Sequence, residues 1–495
     1  MAQARRPLEP EAGLSDSGPV HQPASRPTPD QIPTRPVPSV AGSEPPRSAA
    51  VRLFGSSDFF RLWLAQVVSA TGDWIGFFAI VSIAQRIGGS SSAAAIGVVM
   101  IARVLPGFFL APVAGVLLDR WDRKRVMVGC DVGRGLVLLS LPFIGTVPQL
   151  VVASFMLELL TLMWSPAKEA EVPKMVPPGH LATANSLSLV AAYGTFPVAA
   201  AIFAGLARVA AGLGDEASLA FLRLSNESLA VYFDVGTFFL SAVLISTLSI
   251  TRRPRTTTSA PSSWGLDLSG TLDEFKEGWH FIFVNRRVWA VMAGLGTGLL
   301  GGGMLVPLGP LFTEEILGGG TAGFGLVLFA LGMGVAVGVV VVSIVQGRLN
   351  KPRAFSAAVV VAGVSLLLGT SMSTLTPALG LVALLGGGAG AAYVLGFTIL
   401  QESVSDELRG RTFTALYTVV RMCLLIAFGV GPFLSEALGK LAARLLGGEV
   451  SLGEATISLP GVRLTLWLAA VIIMVAGVIS GRALREHPDR ADIAG

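Results

Sequence analysis

The stretch Gly115-Val-Leu-Leu-Asp119-Arg120-Trp121-Asp122-Arg123-Lys124-Arg125 joins two long apolar segments through a few strongly polar residues. Such a turn must stay in water while the helices on either side of it lie in lipid. Gly115 has no side chain, so a neighbouring helix can approach closely there. Four of the residues from 120 to 125 are cations, and so basic a short loop indicates the cytoplasmic side of a membrane.

Composition agrees with a membrane protein. Of the 495 residues, 52% are hydrophobic and only 14% are charged, whereas about 25% of the residues of a soluble protein are charged. Glycine is abundant, with 59 residues, as expected where helices pack closely in lipid. Cys130 and Cys423 lie far apart in separate apolar segments, and the four histidines have no ligand spacing. The sequence therefore predicts no disulfide framework, no metal site and no cofactor.

Twelve apolar stretches are long enough to cross a bilayer as helices. They lie at about 58–86, 93–118, 126–146, 149–167, 181–209, 229–250, 288–313, 323–346, 354–373, 376–400, 411–438 and 461–482. The predicted fold is an all-α polytopic membrane protein, with twelve transmembrane helices in two pseudo-symmetric six-helix bundles. With the N terminus inside, and counted from Arg52 onward, twenty-two Lys and Arg residues fall on the cytoplasmic side and six on the outer side. Both termini are therefore predicted to be cytoplasmic.

Polar stretches divide the chain into five parts. Residues 1–50 contain 11 of the 29 prolines and almost no aromatic residues, which predicts a disordered cytoplasmic tail. Residues 51–250 and 288–485 are predicted to be the N-terminal and C-terminal six-helix bundles. The connection 251–287 begins as a flexible linker and continues with apolar residues at helical spacing, which predicts an amphipathic helix at the cytoplasmic membrane surface. Residues 486–495 are predicted to be a short cytoplasmic tail.

The second half contains a weaker copy of the opening stretch. After the eighth segment, Gln346-Gly-Arg348-Leu-Asn350-Lys351-Pro-Arg353 keeps the basic residues at the matching place but has no aspartate. This pattern indicates an internal repeat.

The order G-x-x-x-D-R-x-x-R-K-R between the second and third segments resembles the signature loop of the major facilitator superfamily. Other stretches resemble its drug–proton antiporter branch, which includes macrolide efflux proteins and siderophore exporters, over about residues 58–485. These stretches are Phe60-Arg-Leu-Trp-Leu-Ala-Gln66, Ser69-Ala-Thr-Gly-Asp73-Trp74, Ala102-Arg103-Val-Leu-Pro106, Asp131-Val-Gly-Arg134, Ser165-Pro-Ala167 and Arg409-Gly-Arg411. The resemblance implies a secondary transporter that exports amphiphilic small molecules, such as drugs, macrolide-like compounds or siderophores, by alternating access and proton antiport.

Charged residues inside apolar segments are candidates for function, because a charge in lipid is costly and normally has a partner or a polar cavity. Asp73, Arg103 and Glu158 are predicted near the bilayer centre, since a helix rises ~1.5 Å per residue. A carboxylate in a low-dielectric site can hold a proton, and a nearby arginine opposes this. The three residues are therefore predicted to line the central cavity and to couple transport to protons. The alternative is a permanent ion pair that locks three helices together.

A second group of candidates surrounds the signature loop. Asp131 and Arg134 are one turn apart near the inner end of the third helix, so they share a face and can pair locally. The resemblance implies that Asp119 closes an inner gate by meeting the N terminus of the eleventh helix, whose partial positive charge suits a carboxylate. Asp234 and Glu436 lie toward the outer ends of their helices and are expected to contact water. The predicted gate and loop residues are Gly115, Asp119, Arg120, Arg123, Lys124, Arg125, Asp131 and Arg134.

Other classes of function have less support. Gly212-Leu-Gly-Asp215 matches the G-x-G-D pattern of intramembrane aspartyl proteases, but it lies in a predicted outer loop without a clear second catalytic aspartate. Motifs for phosphate binding, zinc proteolysis and serine hydrolysis are absent, so the chain is not expected to be an enzyme. A lysophospholipid or other lipid carrier remains open, as does a membrane receptor or scaffold that transports nothing. The expected partners are an amphiphilic substrate, protons and the lipid bilayer, with no nucleic acid, for a monomer in the cell membrane.

Overall fold

The computed structural model describes residues 53–110, 121–213, 225–249, 285–404, 406–447, 449–452 and 455–485. Several predictions concern residues outside this set. They are the tails 1–50 and 486–495, nearly all of the connection 251–287, and the loop residues Gly115, Asp119 and Arg120. The assignment of the tails and of the linker therefore stays a prediction.

The described part of the first half contains seven α-helices. They are α1 (Ser57–Gly88), α2 (Ser92–Val104), α3 (Arg123–Ser140), α4 (Val147–Met175), α5 (Leu181–Tyr193), α6 (Phe196–Leu213) and α7 (Ser228–Ser246). The fifth predicted segment is divided into α5 and α6 at residues 194–195. Helix α2 is followed by helical residues 106–110 after a break at Leu105, because Pro106 cannot donate a backbone hydrogen bond.

The described part of the second half contains eight α-helices. They are α8 (Arg286–Gly303), α9 (Leu305–Glu315), α10 (Gly320–Val345), α11 (Lys351–Ser371), α12 (Leu375–Ser403), α13 (Asp406–Leu425), α14 (Gly431–Leu446) and α15 (Gly461–Arg485). Helices α8 and α9 form the seventh predicted segment, and the π-helical turn Ile426–Val430 connects the two parts of the eleventh. The sequence did not predict the antiparallel hairpin of β1 (Glu449–Leu452) and β2 (Ala455–Ser458), which precedes α15.

Eleven stretches of the described chain are long and apolar enough to cross a membrane, and each of the twelve predicted segments overlaps one of them. The first, Ser57–Leu110, has 54 residues and as one straight helix would far exceed a hydrocarbon core of about 30 Å. It is interrupted by the 3₁₀ turn Gly89–Ser91, and α1 and α2 pack against each other. The stretch therefore contains two crossings, and the prediction of an all-α, multi-pass membrane protein is confirmed.

The two halves meet in one region where α6 packs against α10. A Cβ on Gly325 would lie 2.8 Å from backbone atoms of Ala204, so only glycine permits this approach. The rings of Phe203 and Phe324 meet edge to face with their centroids 6.1 Å apart. The buried apolar core is continuous across this contact.

A second contact between the halves joins α2 to α14 and to the π-helical turn. A Cβ on Gly97 would lie 2.9 Å from Phe433 and 3.1 Å from the carbonyl oxygen of Gly429. Gly97 lies near the start of α2, and Ala204 lies in the second half of α6. The close contacts between the halves are therefore concentrated at the end of the bundle that contains the Gly89–Ser91 turn, which is the outer end in the predicted topology.

At the opposite end, the two halves begin equivalent helices in the same way. The carboxylate of Asp122 accepts a hydrogen bond of 3.1 Å from the backbone N–H of Arg125 and so caps α3. The side chain of Asn350 accepts the same bond, also 3.1 Å long, from the backbone N–H of Arg353 and caps α11. Asparagine thus replaces aspartate as the capping residue, as the residue preferences at helix N termini allow.

Ion pairs at this end are repeated as well. Arg123, the first residue of α3, lies 3.3 Å from the carboxylate of Glu171 near the end of α4. Lys351, the first residue of α11, forms an ion pair with Glu402 near the end of α12. Equivalent caps and ion pairs in both halves support the internal repeat that the sequence indicates.

Candidate functional site

A cavity of about 690 Å³ lies among the helices of the first half. Residues of α1, α2, α3, α4 and α5 form its wall. This volume is within the range of sites for drug-sized ligands, roughly 300–1,000 Å³. The charged residues of the wall are Asp73, Arg103, Arg134, Lys168 and Glu169, and the large aromatic ones are Trp74, Phe77, Trp164 and Tyr193.

Arg134 on α3 is the centre of a group of buried charges. Its Nη2 donates to Asp131, one turn earlier on the same helix, and its Nη1 donates to Oδ2 of Asp73 on α1 at 3.3 Å. Ser241 on α7 donates to the other oxygen of Asp131 at 2.7 Å. Arg134 therefore binds two carboxylates. That of Asp131 is fully buried and has a second hydrogen-bond donor, whereas that of Asp73 lies in the cavity wall.

Aromatic rings hold the guanidinium of Arg134 in place. Its Cζ lies 4.3 Å from the ring centroid of Phe238 and 5.3 Å from that of Trp164. A cation over an aromatic face is attracted by the ring electrons, and more strongly where water is excluded. These contacts and the two carboxylates fix the arginine between α1, α3, α4 and α7.

Of the three predicted coupling residues, Asp73 and Arg103 lie in the cavity wall whereas Glu158 does not, and Asp73 has a different partner from the predicted one. The sequence predicts Arg103 as the cation that faces Asp73, whereas the ion pair is formed with Arg134. Arg103 lies over the ring of Phe77 at 5.6 Å and forms no ion pair with the described residues. Both arginines remain close enough to Asp73 and to Glu158 to act on them electrostatically. Asp73 on α1 is thus within hydrogen-bond distance of α3.

Asp234 is a carboxylic acid for which the sequence interpretation was wrong. The sequence predicts contact with water, but Asp234 is 1% exposed. A Cβ on Gly72 would lie 2.1 Å from its Oδ1, and a Cβ on Gly76 would lie 2.1 Å from its Oδ2. Thr237 donates to Oδ1 at 3.1 Å. The glycine spacing on α1 is a signal that could have located this site, since small residues four apart permit close helix packing in membranes.

Lys168 is a cavity residue that the sequence interpretation missed. The fourth segment is predicted to end at residue 167, but α4 continues to Met175 and contains Pro166 and Pro173. The charged residues after 167 resemble a loop, yet one helical face that carries Lys168 and Glu171 is buried. Lys168 is 8% exposed and lies in the cavity wall. Its Nζ is 5.9 Å from the ring centroid of Trp164.

The described residues of the signature loop connect helices at the end opposite the contacts between the halves. Glu171 accepts from Arg123 at 3.3 Å and from Lys174 at 2.6 Å. Lys124 donates to the carbonyl oxygen of Leu248, just beyond α7, at 2.7 Å. The loop thus joins the start of α3 to the ends of α4 and α7. The gate role of Asp119 stays a prediction, and no metal-binding group of three or more His, Cys, Asp or Glu occurs among the described residues.

Similarity to known proteins agrees with this arrangement. A sequence profile of the Major Facilitator Superfamily matches residues 62–432. The uncharacterized MFS-type transporter YfiS of Bacillus subtilis (strain 168) is 28% identical over 236 residues, which are 48% of this chain and 51% of YfiS, so the chain spans about half the length of that relative. The putative bacilysin exporter BacE of Bacillus subtilis is 25% identical over 334 residues, 66% of this chain and 77% of BacE.

A solved structure supports the fold. It is the crystal structure of a bacterial homologue of the human lysosomal transporter Spinster, in an inward-facing and unoccupied conformation. The similarity has a TM-score of 0.67 with 14% sequence identity, and it covers 88% of this chain and 99% of that one. At this identity the similarity concerns the fold alone.

Proposed function

The chain belongs to the major facilitator superfamily, and we propose that it exports amphiphilic small molecules by proton antiport with alternating access. Membership makes it a multi-pass membrane transporter, and the similarity to BacE, a putative bacilysin exporter, supports the outward direction. We place it in the cell membrane with both termini in the cytoplasm, and we take a single chain to be sufficient. The observation that carries the proposal is the division of Arg134 between Asp131 and Asp73.

Asp73 is the proposed proton-carrying group, because of the two carboxylates bound to Arg134 it is the one in the cavity wall. Protonation would remove the charge of Asp73 and weaken its bond to the arginine. Arg134 would keep Asp131 as its counterion, so the step leaves no buried cation uncompensated. Loss of the proton would restore the ion pair between α1 and α3. Proton binding would thus change the attraction between two helices of the first half.

Arg103 and Glu158 have a secondary role in this proposal. Both act electrostatically on the region of Asp73, with opposite signs. A cation near a carboxylate favours its charged form, and a second carboxylate disfavours it. Movement of α2 or α4 relative to α1 would therefore change the proton affinity of Asp73 during the transport cycle.

Contacts between the halves support an inward-facing state. They are concentrated at the end with the Gly89–Ser91 turn, which the distribution of cations assigns to the outer side. Substrate would then enter the cavity from the cytoplasm. In the outward-facing state the inner ends would close, and we propose that Asp119 meets the N terminus of α13 there.

Transport into proteoliposomes under an imposed pH gradient tests the proposal, with a panel of macrolide, tetracycline, siderophore and lysolipid substrates. Asp73→Asn mimics the protonated state. It should bind and exchange substrate but should not concentrate it, because no proton is picked up or released. Wild-type accumulation with wild-type pH dependence in this variant would exclude Asp73 from coupling. Glu158→Gln is the control: if it alone uncouples transport, the proton role belongs to Glu158. Exclusive transport of the lysolipid would favour the lipid carrier.

A further inference from the structure

Lys168 is a buried cation without a counterion in the described structure. It is 8% exposed, lies in the cavity wall, and forms neither a hydrogen bond nor an ion pair with the described residues. The neighbouring Glu169 is exposed and accepts a hydrogen bond from Ser165 instead, at 3.4 Å. The Nζ of Lys168 is not one of the enclosed side-chain atoms that lack a partner, so it is open to the cavity. The ammonium is therefore available to a negatively charged group of a ligand in the cavity.

Trp164 supplies a second unused donor beside Lys168. Its Nε1 is buried and has no hydrogen-bond partner in the described structure, whereas a buried indole N–H usually finds an acceptor. The same ring contacts the Nζ of Lys168 at 5.9 Å and the guanidinium of Arg134 at 5.3 Å. An ammonium, an indole N–H and a guanidinium thus occur together in one part of the wall.

The other charges of the cavity distinguish Lys168 from the two arginines. The wall contains three cations but only two carboxylates, Asp73 and Glu169. Arg134 already serves both Asp73 and the buried Asp131. Arg103, like Lys168, forms no ion pair with the described residues. Arg134 is thus compensated by two carboxylates, and Arg103 lies within electrostatic reach of Glu158. Lys168 is therefore the cation of the wall that is most available to a substrate anion.

We propose that Lys168, with the indole N–H of Trp164, binds the anionic group of the substrate, a carboxylate or a phosphate. The substrate would then be an amphiphilic anion or zwitterion rather than a cationic drug. Its apolar body would lie against Trp74, Leu189 and Tyr193, which belong to the same wall. The inference rests on the proposed export function, which leaves the charge of the substrate open.

Another part of the wall suits an apolar body. The indole N–H of Trp74 is already used, since it donates to the carbonyl oxygen of Ala192 at 3.0 Å. Its ring is therefore available only for apolar contact. Leu189 and Tyr193, from α5, are 60% and 67% exposed and reach the cavity. A ligand with one anionic end and one apolar end would satisfy both parts of the site.

Binding to the purified full-length protein in phosphatidylcholine nanodiscs, without any gradient, tests the anion site. Three calorimetric probes share one body and differ in charge: 4-phenylbutyrate, 4-phenylbutylamine and 4-phenylbutanol. The wild-type protein should prefer the acid. Lys168→Met should weaken binding of the acid about ten- to a hundredfold, as expected for loss of a charge-assisted hydrogen bond. Lys168→Arg should retain most of the affinity for the acid. Binding of the alcohol should not change in either variant, which also verifies folding.

Two further arms complete the experiment. Lys440→Met is the matched control, because Lys440 is 67% exposed and paired with Glu436 on α14, outside the cavity wall; it should bind the acid as the wild type does. Lauroyl lysophosphatidate, added to the same nanodiscs, distinguishes the sources of the anion. If binding of this lipid requires Lys168 while binding of 4-phenylbutyrate does not, the site binds a phosphate headgroup.

The proposal is overturned if the wild-type protein prefers the amine, or if Lys168→Met binds both anions as tightly as the wild type. The wild-type preference requires no variant, so poor folding of Lys168→Met would not leave the proposal untested. Failure of the proposed export function can be distinguished from failure of the anion site. If anion binding depends on Lys168 but the pH gradient drives no transport, the anion site is supported and proton antiport is refuted. If the gradient drives transport of cations and Lys168→Met does not change it, proton antiport is supported and the anion site is refuted.

Discussion

Replacement of Asp131 by asparagine should destabilise the protein far more than the same replacement of Asp73, although both carboxylates bind Arg134. Asp131 is 0% exposed, whereas the side chain of Asp73 is 37% exposed. Removal of one partner of a buried ion pair costs about 3–5 kcal/mol, and an exposed pair contributes about 0–1 kcal/mol. Asparagine still accepts a hydrogen bond, so we expect the lower limit, about 3 kcal/mol, for Asp131→Asn. For Asp73→Asn we expect ~1 kcal/mol or less, because Asp73 is partly exposed and Arg134 keeps Asp131 as its counterion.

The chain provides its own reporter for this measurement. It contains two cysteines, and Cys130, adjacent to Asp131, is 5% exposed. In a Cys423→Ser background, the reaction of Cys130 with a thiol-specific maleimide dye reports the opening of α3. Titration with a denaturing detergent in mixed micelles then gives the free energy of unfolding for each variant.

A double variant sharpens the test. In Asp131→Asn with Arg134→Gln, the uncompensated arginine is gone, so part of the stability lost in Asp131→Asn should return. Equal losses in Asp131→Asn and Asp73→Asn would refute the division of roles between the two carboxylates. A double variant no more stable than Asp131→Asn would show that the cost does not come from the arginine charge.

Two further predictions concern packing and the repeated ion pairs. In Gly72→Ala the new Cβ would meet polar side-chain atoms of α7 at 1.9 and 2.1 Å, so we expect a loss of about 1–3 kcal/mol in thermal unfolding. Gly236→Ala on α7 is the control, because its Cβ would meet nothing within 4 Å; equal losses would contradict the packing of α1 on α7. Lys351→Glu should speed hydrogen exchange at the start of α11 by removing the ion pair with Glu402. The effect should be small, about 1 kcal/mol at most, because the pair is partly exposed, and addition of Glu402→Lys should reverse it. No recovery in the double variant would argue against the pair.

Hydrophobic length predicts the crossings of this fold because each apolar stretch must satisfy its backbone hydrogen bonds within one bilayer. All twelve predicted stretches overlap membrane-length helices. The interruptions inside them were not predicted: α5 ends before Gly194, and α8 ends before Met304. A break within an apolar run leaves hydropathy unchanged, so the sequence pattern does not reveal it. The charged end of α4 was wrongly predicted to be a loop, because its polar residues lower the hydropathy although the helix continues and buries them on one face.

The candidate site was predictable only where its residues share one helix. Asp131 and Arg134 are one turn apart, and the ion pair follows from the helical period. The bond from Arg134 to Asp73 and the burial of Asp234 depend on how α1 is rotated against α3 and α7. Hydropathy contains no information on this rotation. The small-residue face of α1, which includes Gly72, does contain it, because a buried carboxyl on α7 requires a surface without side chains.

The repeat itself argues that the chemistry lies in the first half. If the capped N termini of α3 and α11 are aligned, Val359 takes the place of Asp131 and Ala362 takes the place of Arg134. Both replacements are buried and apolar, with 2% and 5% exposure. The second half therefore keeps the caps and ion pairs of the helix ends but has no charge at these two membrane positions. Alternating access requires two bodies that move relative to each other, whereas coupling requires only one body that titrates. Asp131 and Arg134 thus have no charged counterparts at the equivalent positions of the second half, so in the proposed mechanism proton binding would act through the helix packing of the first half.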